Sequence, residues 1–141
     1  MKKILLIDDD KGILDLYEVY FSIPTNKEKY QFFTAPTIEK GKEVIKSEKP
    51  ELILLDLILP KIFEPKAYAD IEREELNKEY GFQLLKELKE NPETSHIPVI
   101  ILSNLSSAQD KGRATLLGAR DYLVKSHVVP REVLAVIEKV A

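Results

Sequence analysis

Short apolar runs alternate along this chain with segments whose apolar residues recur at helical spacing. The runs are rich in Ile, Leu and Val and lack polar alternation, which is typical of strands buried on both faces of a parallel sheet. They predict strands at residues 3–8, 30–35, 51–56, 98–103 and 120–125. The segments that follow them predict helices at residues 11–22, 37–48, 81–90, 107–118 and 130–140.

The order of these elements indicates one α/β domain over residues 1–141, with a doubly wound, five-stranded parallel sheet and helices on both faces. A chain of 141 residues with 44% hydrophobic content is sufficient for one core and short for two. Three helix starts carry suitable residues: Thr37 and Ser107 are predicted N-caps, and Pro130 suits a first helical turn.

One segment interrupts the alternation between the third strand and the third helix. Residues 61–80, KIFEPKAYADIEREELNKEY, are longer and more charged than a strand–helix connection requires. The second part, residues 67–80, has good helix formers and opposite charges at helical spacing, such as Glu74 and Glu75 with Lys78. We therefore predict a solvated helix within an insertion.

Charge and composition exclude several classes of function. With 21 Lys and Arg against 24 Asp and Glu, the net charge is −3, and no basic patch favours nucleic acid or an anionic membrane. The chain has no cysteine, which excludes disulfides, thiol catalysis and thiolate metal sites. The sequence shows neither a signal-peptide core nor an apolar run of bilayer length, so we expect a cytoplasmic protein.

Polar residues stand at the carboxyl ends of four predicted strands. Asp8 and Asp9 lie at the end of the first strand, Asp56 ends the third, Ser103 the fourth and Lys125 the fifth. Because ligand sites in such sheets lie beyond the carboxyl ends of the strands, we expect these side chains to meet at one edge. A carboxylate inside the apolar run ELILLDLILP needs exposure or a partner, and the partners of Asp56 are therefore expected on other strands.

Three carboxylates at one edge repel one another unless a cation binds between them. Mg²⁺ is the simplest hard cation that prefers oxygen ligands. A magnesium site with a lysine and a hydroxyl beside it can support phosphoryl transfer to an aspartate, because this chemistry depends mainly on positioning and charge compensation. We interpret Asp56 as the nucleophile.

Five stretches together resemble the receiver domains of two-component response regulators: ILLIDDD, LILLDLILP, GFQLLKELK, PVIILSNLS and GARDYLVKS. They follow the family's order and spacing apart from the insertion, and the resemblance covers essentially the whole chain. It implies a CheY-like, flavodoxin-like strand order 2-1-3-4-5. It also implies a signalling switch rather than an enzyme, phosphorylated by a sensor histidine kinase or a histidine phosphotransfer protein.

The resemblance implies a chemical role for five residues. Asp56 is the phosphoacceptor, and Asp8 and Asp9 are the acidic pair, with Asp9 the more direct metal ligand. The backbone carbonyl of Ile58 completes the protein's share of the Mg²⁺ coordination. Lys125 pairs with the phosphate and balances its charge.

The resemblance also implies how the switch operates and how long it stays on. Ser103 carries the hydroxyl that turns toward the phosphoryl group, and Tyr122 is the aromatic residue that reorients on activation. The side chains that flank the path of the hydrolytic water are Ile58 and Leu105. Neither can orient water, so we predict slow loss of the phosphoryl group.

Each assignment has a structural alternative. Asp9 could serve only as an N-cap, Ser103 as a turn residue and Lys125 as a surface lysine. Tyr122 could be only an aromatic residue at the sheet edge. The structural alternative is weakest for Asp56, because an aspartate among Ile and Leu neighbours needs a specific partner.

Two positions depart from the family pattern. Proline usually follows the lysine, joined through a cis peptide, whereas Ser126 stands here. A cis bond to a residue other than proline costs about 2.5–4 kcal/mol, so we predict a trans Lys125–Ser126 peptide. The residue after the hydroxyl is usually small, and Asn104 is expected to narrow the entrance for a phosphodonor.

These departures leave two further functions to compare with the phosphorylatable receiver. A degenerate receiver would act only as a phosphorylation-independent protein-interaction module. A flavin carrier or an aspartate-dependent phosphatase fits poorly, because the first loop is acidic and Ile58 stands where a phosphatase needs a second aspartate. The output partner, homodimer formation and membership of a longer chain stay open, and neither nucleic acid nor membrane is an expected partner.

The insertion carries a separate hypothesis, partner selection. In the family a glycine lies a few residues after the proline that closes the phosphoacceptor loop, whereas Pro60 and Gly81 are 21 positions apart. The segment leaves the sheet beside Asp56 and can overhang the site, where a phosphodonor or output partner would approach. An indifferent surface insertion is the alternative. The apolar residues available for contact are Ile62, Phe63, Tyr68, Ile71 and Leu76.

Overall fold

A computed structural model describes residues 1–60 and 71–140, without the side chains of residues 71–76. The predicted contacts of residues 61–70, and those of Ile71 and Leu76, lie outside this description. The strands are β1 (Lys2–Ile7), β2 (Tyr30–Ala35), β3 (Leu52–Leu55), β4 (Val99–Ser103) and β5 (Asp121–Val124). They are parallel and form one sheet in the order β2-β1-β3-β4-β5, which confirms the expected fold.

Side chains of the central strands alternate between two cores, one on each face of the sheet. The helices around the sheet are α1 (Lys11–Ser22), α2 (Pro24–Lys27), α3 (Ile38–Glu48), α4 (Ile71–Glu90), α5 (Ala108–Leu116) and α6 (Pro130–Val140). Leu5, Ile53 and Ile101 face the core formed with α3, α4 and α5, whereas Ile4, Leu52 and Ile100 face the core formed with α1 and α6. A 3-10 turn at Lys125–His127 follows β5.

The edge strands differ from the prediction that every strand is buried on both sides. All residues of β3 and β4 are buried, but most residues of β2 and β5 are only half buried. The reason is topological, because β2 and β5 each have one neighbouring strand and helices cover them incompletely.

The predicted helix starts are confirmed at three positions. The Thr37 hydroxyl accepts a hydrogen bond from the Lys40 N–H, and the Ser107 hydroxyl accepts one from the Asp110 N–H. Pro130 is the first residue of α6. Within residues 1–60 and 71–140, no helix combines the length and apolar content needed to cross a membrane.

Helix α4 is longer than the sequence pattern predicts. It begins at Ile71 rather than at residue 81, so the second part of the insertion continues directly into the third predicted helix. Gly81 lies inside this helix, and a Cβ atom there would collide with the Leu57 backbone carbonyl. The glycine therefore permits close contact between α4 and the loop after β3, and does not end a helix.

Candidate functional site

The candidate site lies at the carboxyl edge of the sheet, where backbone hydrogen bonds continue one residue beyond two strands. The Asp8 N–H donates to the Ala35 carbonyl at 3.0 Å, and the Asp56 N–H donates to the Ile7 carbonyl at 3.0 Å. Both carboxylates are therefore carried on backbone that is fixed by the neighbouring strand. Rigid support of this kind keeps the two groups in register.

Three carboxylates meet at this edge. One oxygen from each of Asp8, Asp9 and Asp56 lies within 4.8 Å of the others. Asp8 is 0% exposed and Asp56 is 4% exposed, whereas Asp9 faces solvent. All three candidate metal ligands are hard oxygen atoms, which suit Mg²⁺ or a similar divalent cation.

Lys125 supplies the partner that Asp56 needs. Its ammonium donates to Asp56 Oδ2 at 2.9 Å and to Asp8 Oδ2 at 2.8 Å, across 69 and 117 positions of the sequence. The lysine side chain is 10% exposed, so both ion pairs are largely shielded from water. One positive charge among three carboxylates leaves the cluster short of positive charge, which a divalent cation would supply.

The electrostatics of the cluster follow from this imbalance. Burial, and then repulsion from Asp56, raise the pKa of Asp8 from 3.8 to about 6 despite the nearby ammonium. Burial and Asp56 also raise the pKa of Asp9. Burial disfavours the charged form of Lys125, but attraction to Asp56 and Asp8 outweighs it, so the pKa of Lys125 is raised. The lysine stays protonated while the buried acid is hard to ionise.

The remaining predicted residues lie around this centre. Ile58 donates its N–H to Asp56 Oδ1 at 3.2 Å. Ser103 ends β4 at 0% exposure, and its hydroxyl accepts the Leu105 N–H at 3.4 Å. Burial, followed by the charges of nearby acids, raises the pKa of Tyr122 to about 12. Its protonated hydroxyl donates to the Leu105 carbonyl at 2.6 Å, which connects β5 to the loop after Ser103.

Asp9 does not serve as an N-cap, which was the alternative to its role as a metal ligand. Asp10, not Asp9, is the N-cap of α1, and its carboxylate accepts the Gly12 N–H at 2.9 Å. The Asp8 carboxylate in turn accepts the Asp10 N–H at 2.9 Å. Asp9 therefore has its side chain available for the acidic cluster.

The two departures from the family pattern meet in space. No cis peptide occurs in residues 1–60 and 71–140, so the Lys125–Ser126 peptide is trans as predicted. The Asn104 side-chain carbonyl accepts the Ser126 N–H at 2.8 Å. Sequence reasoning singled out both residues separately but did not connect them, because the spacing of 22 positions carries no signal for a contact.

Comparisons with known proteins show which proteins this chain resembles. The family model described as "Response regulator receiver domain" matches residues 4–138. The DNA-binding dual master transcriptional regulator RpaA of Synechocystis is 35% identical over 89% of this chain. That match covers 43% of RpaA, so the chain spans less than half the length of this relative.

Two solved structures resemble the whole fold. A CheY-like receiver domain protein from Methanospirillum hungatei has a TM-score of 0.74 and 25% identity, covering 99% of this chain and 92% of that one. The Mn²⁺-bound form of the response regulator Rcp1 has a TM-score of 0.68 and 26% identity, covering 92% of this chain and 84% of that one. From the matched family model, the shared fold and the acidic edge of the sheet, we conclude that this chain belongs to the response regulator receiver domain family.

Proposed function

We propose that this receiver is a phosphoacceptor in a two-component system or phosphorelay. A carboxylate oxygen of Asp56 attacks the phosphorus of a phosphohistidine on a sensor kinase or phosphotransfer protein. The bond to the histidine nitrogen breaks as the acyl phosphate forms. The chain takes part in the transfer of the phosphoryl group to Asp56 and in the later hydrolysis of the acyl phosphate. It acts as a switch and not as an enzyme with a separate substrate.

The residues around Asp56 support complementary roles. Asp8, Asp9 and Asp56, with the Ile58 carbonyl, would hold Mg²⁺, which supplies positive charge that offsets the incoming phosphoryl group. Lys125 already contacts Asp56 and can pair with a phosphoryl oxygen once that carboxylate is phosphorylated.

The switch would use the loop after β4. Ser103 lies at the end of that strand, and Tyr122 donates to the Leu105 carbonyl two residues farther on. A movement of the Ser103 hydroxyl toward phosphate would shift the backbone to which Tyr122 is bonded. The surface around β4 and β5 would change as a result.

One observation carries the proposal: the ammonium of Lys125 bridges Asp8 and Asp56 next to the exposed carboxylate of Asp9. A carboxylate held by a lysine and open to a divalent cation suits aspartyl phosphorylation. The experiment is intact mass after incubation with acetyl phosphate and Mg²⁺, with Asp56→Asn as the control. We expect one phosphoryl adduct that requires both the divalent cation and Asp56.

Two outcomes would contradict the proposal. An adduct that forms without a divalent cation, or that persists in Asp56→Asn, would place the chemistry elsewhere. A folded protein that accepts no phosphoryl group and binds neither Mg²⁺ nor beryllofluoride would instead be a degenerate receiver, which acts through protein contacts alone.

A further inference from the structure

Asn104 and Ser126 join the two loops that leave the carboxyl ends of β4 and β5. The side-chain carbonyl of Asn104 accepts the backbone N–H of Ser126 at 2.8 Å. Asn104 directly follows Ser103, and Ser126 directly follows Lys125. The bond therefore connects the neighbours of two residues to which the proposed function gives roles.

The position of this bond continues the parallel ladder between the two strands. The Arg120 N–H donates to the Val99 carbonyl, and in a regular parallel ladder every second residue of β5 from Arg120 directs its N–H toward β4. At Tyr122, a member of this series, the N–H is 2.7 Å from Asp121 Oδ1 and donates to it. That series reaches Ser126, one step beyond the last strand pair, Ser103 with Val124. The backbone acceptor expected next is the Leu105 carbonyl, which instead accepts the Tyr122 hydroxyl. The Asn104 amide supplies an acceptor in its place.

The bond fixes backbone that otherwise leaves the sheet. Lys125 opens the 3-10 turn Lys125–His127, and both Asn104 and Ser126 are exposed. The Lys125 side chain is long, with several rotatable bonds, and its ammonium must reach Asp8 and Asp56 together. The bond to the Ser126 N–H holds the peptide next to Lys125 and so restricts the position of the Lys125 Cα. A restricted Cα favours the conformation in which the ammonium contacts both Asp8 and Asp56.

The residue types make the arrangement specific. Only a residue other than proline at position 126 can donate an N–H, and only a side chain with an acceptor at position 104 can receive it. We propose that Asn104 is a positioning residue, which holds Lys125 over Asp56 through the Ser126 N–H. This inference rests on the proposed function for its effect on phosphorylation, but the bond and its effect on Lys125 can be tested without it.

The first measurement is amide hydrogen exchange by NMR in the metal-free protein. We expect the Ser126 amide to be protected in the wild type and to lose roughly threefold to tenfold protection in Asn104→Leu, the effect of one net hydrogen bond. Asn104→Leu keeps the number and branching of the side-chain heavy atoms and removes the acceptor. Ser126→Ala keeps the N–H and should keep the protection. In Asn104→Leu the ammonium signal of Lys125 should also broaden through faster proton exchange.

The second measurement is the initial rate of phosphorylation by acetyl phosphate at saturating Mg²⁺, in a double-mutant cycle. Asn104→Leu should lower the rate roughly threefold to tenfold when residue 126 is serine. In the Ser126→Pro background, where no N–H exists, the same substitution should have no effect. Because Ser126→Pro can disturb folding, urea unfolding of each variant accompanies the rates, and the exchange data decide the inference if that variant does not fold.

Four results would overturn the inference. Unchanged protection of the Ser126 amide in Asn104→Leu would show that the Asn104 side chain does not accept this N–H. An unchanged Lys125 ammonium signal in the same variant would show that the bond does not position Lys125. Equal loss of rate in both backgrounds would show that Asn104 acts by another route. A faster rate in Asn104→Ala but not in Asn104→Leu would show that Asn104 only narrows the entrance. If the wild type takes no phosphoryl group, the proposed function fails, and the NMR measurements alone decide the positioning role.

Discussion

The ionised form of Asp8 lowers the stability of the folded protein, while it supplies a carboxylate to the candidate site. Its carboxylate is fully buried, and its pKa is raised from 3.8 to about 6, first by burial and then by Asp56. Between these two values the native state holds a proton that the unfolded state has released. The contribution of Asp8 therefore opposes folding increasingly as the pH rises from about 4 to 6, and the full penalty applies above that range.

The Asp8→Asn variant tests this penalty. We expect the metal-free variant to be more stable than the wild type at pH 7.5, by on the order of 2 kcal/mol, because asparagine fills the site without a charge. The advantage should shrink toward pH 4. Added Mg²⁺ should stabilise the wild type more than the variant. Urea unfolding across this pH range measures all three effects, and a variant less stable at pH 7.5 would mean that the pair with Lys125 outweighs burial.

We predict that Ile58 and Leu105 control the lifetime of the proposed acyl phosphate. Both are apolar and half buried, and Ile58 lies beside the phosphoacceptor through its N–H bond to Asp56. Replacing Ile58 with Asn and Leu105 with Glu should speed loss of the phosphoryl group by roughly tenfold or more, because these side chains can orient water. Decay of the adduct, followed by intact mass, checks this. Ile58→Val should decay like the wild type, and unchanged decay in the double variant would refute the argument.

The sequence predicted which residues would gather at the site better than it predicted their contacts. An aspartate inside an apolar run required a partner, and strand ends at one edge indicated where Lys125 would stand. The bond between Asn104 and Ser126 could not be predicted, because an exposed amide has many possible partners. Asp10 is the N-cap of α1, and this role distinguishes it from Asp9.

At the scale of the elements, two helical glycines have opposite consequences. Gly81 in α4 lies against the Leu57 backbone, whereas a Cβ at Gly112 in α5 would meet nothing within 4 Å. Gly112→Ala should stabilise the protein by about 0.5–1 kcal/mol, the usual gain in a helix. Gly81→Ala should instead destabilise it by about 2 kcal/mol or more, because the collision is with backbone beside Asp56. Urea unfolding compares the pair, and a stabilising Gly81→Ala would show that α4 does not need this close approach.

The helices and strands could be predicted where apolar residues recur at regular spacing and the ends of the segment carry clear start or stop residues. The short helix α2 was missed, although Pro24 is suited to a first helical position and was the available signal. The insertion was predicted as a solvated helix, but Asn77, Lys78 and Tyr80 are half buried. Charged residues at helical spacing indicate a helix without identifying the neighbouring element with which they pair.

At the scale of the whole molecule, the end of the insertion is attached to α5. Lys78 Nζ lies 2.9 Å from Asp110 Oδ1, and both side chains are largely buried. Glu79 receives two hydrogen bonds from Arg113, at 2.8 and 2.7 Å, and the Arg113 guanidinium lies 4.0 Å above the Phe82 ring. The extension of α4 therefore packs on α5, the helix that follows the loop after Ser103.

A deletion of residues 61–76 tests whether the insertion selects partners. Removing these 16 residues reduces the separation of Pro60 and Gly81 from 21 positions to 5 and keeps Lys78 and Glu79. The Leu59 N–H contacts the Asn77 carbonyl at 3.4 Å, so the new ends lie close together. We expect the fold and phosphorylation by acetyl phosphate to persist while transfer from the cognate kinase changes.

Circular dichroism, intact mass and a kinase transfer assay separate the outcomes. A folded deletion variant that no longer reacts with acetyl phosphate would place the segment within the site itself. Unchanged kinase transfer would make the segment an indifferent surface insertion. A full-length variant with Lys78→Met and Glu79→Gln breaks the attachment to α5 without shortening the chain, and so distinguishes the loss of the segment from the loss of its anchor.

The attachment of α4 to α5 means that residues of the same chain occupy part of the α5 surface and compete there with any binding partner. Asp110 and Arg113 already have charged partners supplied by the same chain. A tethered group acts at an effective concentration of about the millimolar range, far above that of most free proteins in a cell. A protein that recognises α5 through these two side chains must therefore displace Lys78 and Glu79 or bind the two helices as one composite surface.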